Sequence, residues 1–455
     1  MFKFFIAILL FLTVIDFLFL HIQVFLLGSV VFPNVIFKAL LLASLFTYLF
    51  FHRKIFIKKS SLFAIYIVYI MYLLLDYIFI FLYFNYSATY LMVSFSLSDY
   101  FLIIVFLFFI LFTADKYDNK FTIIIFIFGI IAVLGGIEQY LIGTQNFVVT
   151  TANKSVNAYN FYGQNRLFSY FGSGLDFGIF LSFLLVSVLT YTKPFFSIKN
   201  FLLIPFILLI TFLIYNTLTR NVYAMVAISL FSLFLFSIGS KKILKYLPYI
   251  YGAAIVIFLS YTANNLSANV SGSHIGSAES TFIRFLNWGN ALNLYIQGDT
   301  MSHLFGFGLI QNANLNPNLC IDNLFLGTLL QHGLIGLILF LFLLHHIWIY
   351  LLDKYFASRQ RLSLIVAVMF SSFFAINMLN NIYMDYFTIL GIYFLFSEDK
   401  KFNTKVSRCF KWVERVRSGS RTSVKGPMRD ADSFQLALGL PPGASIRGGI
   451  PLDKQ

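Results

Sequence analysis

Residues 61–84 read SLFAIYIVYIMYLLLDYIFIFLYF, and Asp76 is the single charged side chain among them. A helix needs about 20 mostly apolar residues to cross the hydrocarbon core of a bilayer. The length and apolarity of this stretch therefore predict a transmembrane helix.

The rest of the chain has a similar composition. Of its 455 residues, 59% are hydrophobic and 20% are aromatic, whereas only 11% are charged. Soluble proteins carry about 25% charged residues, so this composition excludes a water-soluble fold. We predict an all-α polytopic membrane protein with about twelve transmembrane helices, near residues 4–27, 33–51, 61–84, 92–113, 121–142, 175–192, 200–216, 220–239, 246–262, 322–350, 362–380 and 382–397.

The basic residues predict the orientation of these helices. If the N-terminus lies inside, the inner loops and the C-terminal tail contain 27 of the 32 Lys and Arg residues. Cytoplasmic loops of membrane proteins are enriched in Lys and Arg, so both termini are predicted to be cytoplasmic. This distribution accounts for the net charge of +14, and no nucleic-acid partner is expected. We expect the predicted helices to lie in a lipid bilayer.

Residues 1–400 form the predicted transmembrane domain, and residues 401–455 form a cytoplasmic tail that is first basic and then of a composition typical of disorder. Residues 426–455 differ so much from the rest that we assign them no function. Two outer loops are long, at about 143–174 and 263–321, and loops beyond about 12–15 residues are usually functional or disordered.

The two cysteines suggest neither a disulfide nor a metal site. Cys320 and Cys409 fall on opposite predicted sides of the membrane, so they cannot pair. The sequence shows no metal-ligand cluster, and no cofactor is predicted.

The second outer loop contains a predicted helix that begins at Ser277 to Ser280. One of its faces carries Arg284, Trp288, Ala291 and Tyr295. We expect the helix to lie flat on the membrane and to present this face to the outside. The opposite face carries Phe282, Phe285, Leu286, Gly289 and Ile296.

Three arginines, Arg166, Arg220 and Arg284, fall on the predicted outer side, against the general trend. Arginine is costly near hydrocarbon, so each is expected to have an anionic partner. Guanidinium groups bind phosphate oxygens in a bidentate way, which favours a phosphate ligand. The alternative is a salt bridge with a carboxylate of the chain, with Glu138, Asp176, Glu279 and Asp385 as candidates.

Five features stand out across about residues 160–345. They are the run Asn165–Gly174 around Arg166, the turn Leu218–Asn221, the pair Arg284 and Trp288, the passage His303–Leu309 with Gly306 and Gly308, and the passage Asp322–Gly336 with Asn323 and Gly333. Together they resemble the bacterial O-antigen polymerase (Wzy) and O-antigen ligase superfamily of envelope enzymes, and the number of spans extends the likeness over most of 1–400.

The resemblance implies an enzyme on the periplasmic face of the bacterial inner membrane. Such polymerases join oligosaccharide repeats that are linked to undecaprenyl diphosphate, and a chain-length regulator is an expected partner. Arg166 and Arg220 would then bind the diphosphate, and Arg284 would stabilise it as it leaves. The likeness does not indicate which sugars are joined.

The base that activates the acceptor hydroxyl has two candidates, Asp322 and His303. Asp322 stands where ligase members typically have a histidine, which favours a polymerase, but it is equally suited to be the N-cap of the tenth span. Trp288 and Tyr295 are candidate stacking surfaces for sugar rings, and Asn323 is a candidate substrate ligand. His332, deep in a span, is predicted to be a buried and hydrogen-bonded histidine.

Two other functions remain open. An O-antigen ligase or a related glycan transferase would share the outer arginines. A flippase for lipid-linked oligosaccharides would explain Asp16, Asp76 and Glu138, because acidic groups within spans often mark ion pathways. Against a transporter, the two halves of the chain show no detectable repeat.

Overall fold

The computed structural model describes about half of the chain, all of it within residues 61–379. The described residues are 61–84, 120–143, 150–151, 154–155, 160–161, 164–169, 171, 174–191, 203–269, 275–308, 323–359 and 361–379. The predicted spans 4–27, 33–51, 92–113 and 382–397, and the tail 401–455, lie outside these residues.

The described residues are mainly helical. The helices are α1 Ser61–Tyr83, α2 Lys120–Ile142, α3 Gly174–Tyr191, α4 Ile204–Asn216, α5 Arg220–Ile238, α6 Lys241–Leu244, α7 Leu247–Asn269, α8 Ile275–Gln297, α9 Thr300–Phe305, α10 Leu324–Ser358, α11 Arg361–Ser371 and α12 Phe373–Asn377. Between α2 and α3, two short antiparallel pairs join β1 Thr150–Thr151 to β2 Lys154–Ser155 and β3 Asn160–Phe161 to β4 Gln164–Asn165.

The prediction of an all-α fold is confirmed for the described part of the chain, apart from these two-residue strands. Four helical stretches are long and apolar enough to cross a membrane: Ala64–Tyr83, Gly174–Tyr191, Arg220–Ile238 and Leu324–Ala357. The total of twelve spans and the location of the termini remain predictions.

Helix α3 is the most buried of these four stretches, with 72% of its residues inside the protein. It packs against α2, α4, α5 and α11. Its buried hydroxyl groups find hydrogen-bond acceptors within the same helix. Ser182 donates to the carbonyl of Gly178 at 2.7 Å, and Ser187 donates to that of Phe183 at 2.8 Å. A Cβ atom at Gly178 would lie 2.4 Å from Val222 Cγ2, so a glycine is needed where α3 and α5 approach most closely.

One end of the bundle is rich in basic residues that belong to predicted cytoplasmic loops. Lys241 Nζ lies 2.6 Å from Asp353 Oδ1, between α6 and α10. Arg361 donates to the carbonyl of Tyr191 at 3.1 Å, which joins the start of α11 to the end of α3. The side of the membrane on which this end lies remains a prediction.

Three helices differ in length from their predictions. Helix α7 extends to Asn269 instead of ending near 262, and the predicted span 362–380 is divided into α11 and α12. Helix α10 runs to Ser358, because Leu351, Leu352 and Tyr355 are buried and continue its packed face.

Candidate functional site

Arg166 lies in a short segment that joins the β4 strand to α3 and is held by two other helices. The amide of Leu167 donates to the carbonyl of Asn216, at the end of α4, over 3.1 Å. The amides of Phe168 and Ser169 both donate to Oε1 of Gln139, in α2, at 2.9 and 2.7 Å. The main chain beside Arg166 is therefore fixed at the ends of α2 and α4.

Arg220 is the first residue of α5, four residues after the contact at Asn216. The turn between α4 and α5 is tight, since Leu218 has a φ of 49° and Thr219 Oγ1 donates to the carbonyl of Thr217 at 3.0 Å. Arg220 is exposed to solvent. The Leu167 contact with Asn216 thus brings the Arg166 segment beside the turn that carries Arg220.

Arg284 completes a group of three cations, which we call the arginine cluster (Arg166, Arg220 and Arg284). Burial lowers the pKa of the Arg166 guanidinium, and the positive charges of Arg220 and then of Arg284 lower it further. Arg284 Nη1 also donates to the carbonyl of Leu379 at 3.4 Å. Residues that are more than 50 positions apart in sequence therefore place like charges near one another, an arrangement that favours a polyvalent anion.

The face of α8 that bears Arg284 packs in part against α10, and its predicted position on the outer surface of the membrane remains a prediction. Ala291 is fully buried and clusters with Leu330 of α10, while Leu286 and Ile296 are 49% and 63% exposed. The small side chain of Ala291 lets α8 pack against α10 at this point, so the size of the side chains as well as their polarity determines which face is buried. Arg284, Trp288 and Tyr295 are half-buried as a result.

Trp288 and Asn323 line the same cavity, which has a volume of about 470 Å³. The rest of its lining is mostly apolar and comes from α7, α8, α10 and the chain after α12. The indole Nε1 of Trp288 is buried and has no hydrogen-bond partner among the described residues. Arg284 lies one helical turn before Trp288, so the cavity adjoins the arginine cluster through α8.

The side chains of Tyr295 and His303 each hydrogen-bond to the main-chain carbonyl of the other residue. Neither residue belongs to the arginine cluster. The Tyr295 hydroxyl donates to the carbonyl of His303 at 2.7 Å, and His303 Nε2 lies 2.7 Å from the carbonyl of Tyr295. This reciprocal contact joins the end of α8 to α9. Because a carbonyl oxygen only accepts, Nε2 is the donor there, and Nδ1 is the nitrogen that could act as a base. A catalytic role for His303 remains a prediction.

Asn323, not Asp322, is the N-cap of α10. Its Oδ1 accepts hydrogen bonds from the amides of Phe325 and Leu326, each at 3.0 Å. The alternative interpretation of Asp322 as the cap is therefore wrong, because its neighbour occupies that position. Asp322 lies outside the described residues, and its role as a base remains a prediction.

The passages around Gly306 and Gly333 form one structural unit. Gly333 interrupts α10 with a φ of 64° and a ψ of −169°. The carbonyls of Leu330 and Gln331 accept from the amides of Phe307 and Gly308, at 2.7 and 3.0 Å. The two motifs thus lie against each other and are joined by main-chain hydrogen bonds. We refer to this interruption as the α10 break.

A third carbonyl at the α10 break is that of His332, which accepts from the Tyr72 hydroxyl of α1 at 2.6 Å. The prediction for the His332 side chain is confirmed, since this residue is 5% exposed and its Nδ1 lies 2.8 Å from Asp76 Oδ2. Sequence reasoning noted both ionisable residues but not their pairing. The signal was present, because each is an ionisable side chain within a mostly apolar span.

Gln139 is a further residue that the sequence analysis did not single out. It is 1% exposed within α2, where an amide needs hydrogen bonds to be buried. The signal that was available is a polar amide at the outer end of a predicted span.

Comparison of the chain with protein-family models and with curated proteins finds no match. The likeness to the O-antigen polymerase and ligase superfamily therefore depends on the motifs, and the function below is inferred from them and from the site geometry.

Proposed function

We propose that this protein is an O-antigen polymerase, a surface-polysaccharide polymerase of the bacterial inner membrane. It joins undecaprenyl-diphosphate-linked oligosaccharide repeats on the periplasmic face. The observation that supports the proposal most directly is the arginine cluster, in which the charges of Arg220 and Arg284 both act on the half-buried Arg166.

The chemistry of this transfer fits three convergent guanidinium groups. A hydroxyl of the acceptor sugar gives its proton to a base, for which Asp322 and His303 are the candidates, and its oxygen forms a new glycosidic bond to the anomeric carbon of the donor glycan. The bond from that carbon to the phosphate oxygen breaks, and the lipid diphosphate leaves with the bonding electron pair. Negative charge grows on the leaving diphosphate, and preorganised positive charge lowers the energy of that state.

Within the proposal, the three arginines have different roles. The half-buried Arg166 is held by its main chain and binds the diphosphate in a fixed place. The exposed Arg220 lies at the N-terminus of α5, where the helix dipole adds positive potential. Arg284 belongs to the helix that also lines the 470 Å³ cavity, and it stabilises the leaving group.

The ligase and the flippase remain the alternatives. The aspartate at position 322, in place of the ligase histidine, favours the polymerase. A flippase would use ionisable groups inside the spans. Among the acidic residues that could form an ion pathway in a flippase, Asp76 is paired with His332 in the protein interior.

Surface glycan from a strain that lacks the gene tests the proposal, provided that the host carries lipopolysaccharide. We expect lipid A-core capped with a single repeat, because flipping and ligation continue while polymerisation stops. Core without any repeat would replace the polymerase with the ligase or the flippase. An unchanged ladder would overturn the family assignment.

A further inference from the structure

The side chain of Gln139 holds the Arg166 segment through hydrogen bonds to its main chain. Its Oε1 accepts two main-chain hydrogen bonds at once, from Phe168 N at 2.9 Å and from Ser169 N at 2.7 Å. A carbonyl oxygen has two lone pairs, so both are used here. One buried atom of α2 therefore satisfies two successive amides, two and three residues after Arg166.

The segment adopts a backbone that needs such a support. Ser169 has a φ of 49°, in the left-handed region that non-glycine residues seldom adopt. Its hydroxyl donates to the carbonyl of Ala132, also in α2, at 2.9 Å. The turn following Arg166 is thus fixed to α2 by one side-chain amide and one hydroxyl.

The charges of the arginine cluster work against this placement. Arg220 and Arg284 both act on Arg166 with the same sign of charge. Like charges that lie near one another favour separation. A rigid attachment of the Arg166 main chain offsets that repulsion and keeps the site formed before the anion arrives.

We propose that Gln139 is a positioning residue for Arg166, and that it holds this arginine in the geometry that binds a lipid-linked diphosphate. This inference rests on the proposed function, because it takes Arg166 to be a ligand of the diphosphate. The Nε2 of Gln139 is buried without a hydrogen-bond partner among the described residues, so the acceptor oxygen is the part that acts on the segment.

Replacing Gln139 with methionine tests the role of this oxygen. Methionine is similar in length and removes the oxygen that accepts both hydrogen bonds. The amides of Phe168 and Ser169 then lose their partner, and the segment moves to find others. The matched control is Ser187→Ala, which removes a buried side-chain hydrogen bond within α3, to the carbonyl of Phe183, and leaves the Arg166 segment and Gln139 in place.

The measurement is the affinity of the purified full-length protein in lipid nanodiscs for farnesyl diphosphate, a short prenyl diphosphate. Thermal stability is recorded for the same samples. We expect Gln139→Met to weaken binding by about tenfold or more, as the loss of one well-placed charged hydrogen bond does. Ser187→Ala should change the affinity by less than about twofold, whatever its effect on the melting temperature.

A double-mutant cycle separates positioning from general stability. In an Arg166→Ala background, Gln139→Met should have no further effect on affinity, because the group that it positions is gone. Equal loss of affinity in both backgrounds would contradict the inference. If Gln139→Met does not fold, Gln139→Asn, which keeps the amide but withdraws its oxygen, is held to the same criteria.

The outcomes for the two proposals differ. Wild-type protein that does not bind farnesyl diphosphate overturns the diphosphate site, and the role of Gln139 falls with it. Wild-type protein that binds, together with a folded Gln139→Met variant of equal affinity, overturns the positioning role alone.

Discussion

Asp76 and His332 lie 256 positions apart in the chain, yet Asp76 Oδ2 and His332 Nδ1 are separated by 2.8 Å. The residues are 1% and 5% exposed, and they join α1 to α10 beside the α10 break. A hydrogen bond between membrane helices contributes about 0.6 kcal/mol on average. Breaking a buried ion pair costs about 3–5 kcal/mol, so the two cases can be told apart by measurement.

We expect Asp76→Leu to destabilise the protein by about 3 kcal/mol, because it leaves the buried imidazole without its acceptor. Asp76→Asn should cost less, since an amide oxygen can still accept from Nδ1–H. Unfolding of the purified protein in mixed micelles measures both. His332→Phe should cost less in the Asp76→Leu background than in the wild type, and simple additivity would contradict a direct pairing.

Alanine at Gly333 should be among the most damaging small substitutions. Its Cβ would lie 2.3 Å from the carbonyl carbon of Leu304, and its φ of 64° is unfavourable for alanine. We expect a loss of about 3 kcal/mol or more, with a reduced yield of folded protein. Size-exclusion profiles and thermal unfolding measure this loss.

Gly289→Ala is the matched control for Gly333→Ala. A Cβ atom at Gly289 meets nothing within 4 Å, and the residue lies within α8. Alanine there should be neutral or stabilise the protein by up to about 1 kcal/mol. A similar loss at both glycines would show that the contact at the α10 break is not the cause.

Asp299 should make stability depend on pH in the acid range. It caps α9, and hydrogen bonds from Ser302 and then from Tyr83 lower the pKa of its carboxyl to about 2. The unfolded chain has a carboxyl pKa of about 3.9. Because the folded pKa is the lower one, the carboxylate stabilises the fold above pH of about 4, and this effect is lost as the pH falls towards about 2.

The comparison for Asp299 is Asp299→Asn, which can still cap a helix but carries no charge. The melting temperature of the wild type should exceed that of the variant from pH 5 to pH 7, as a constant difference. The difference should shrink between about pH 4 and about pH 2. A difference that grows towards acid pH would have the wrong sign.

Arg284→Ala should abolish chain elongation while the protein still inserts into the membrane. Its positive charge acts on Arg166, as that of Arg220 does. Arg284→Lys should not restore full activity, because an ammonium group cannot make the bidentate contact. The glycan ladder on a gel measures both, and a normal ladder for Arg284→Ala would remove this residue from the site.

Arg361→Ala is a control for the loss of one arginine elsewhere in the protein. Arg361 is exposed and binds the carbonyl of Tyr191 at the other end of α3. This variant should give the wild-type ladder at equal expression. Deletion of residues 426–455 should also leave elongation unchanged, and lost activity in a correctly inserted protein would mean that the tail has a function.

The positions of the helices were predictable from the sequence, since apolar runs bounded by polar residues determine them. The predicted span 61–84 corresponds to α1 and the span 121–142 to α2, each within one or two residues. The environment of the helices was not predictable in the same way. The α8 face with Arg284 and Ala291 could be assigned from its period, but whether it met protein or solvent depends on α10.

The sequence identified the three residues of the arginine cluster, but it did not predict the contacts that hold the Arg166 segment in place. Arg166, Arg220 and Arg284 drew attention because they oppose the charge trend of the chain. The contacts from Gln139 and Asn216 to the Arg166 segment join three separate parts of the chain. No local pattern encodes such contacts, since they depend on the packing of α2, α3 and α4.

The α10 break determines the order in which this part of the protein can assemble. A helix alone in a bilayer must satisfy its own backbone hydrogen bonds, so newly inserted α10 is a straight rod. The donors to Leu330, Gln331 and His332 come from the chain after α9 and from α1. Both precede α10 in the chain and are therefore synthesised first. We therefore expect the bend to form when α10 docks, after insertion, against α1 and the chain after α9, both of which are made earlier.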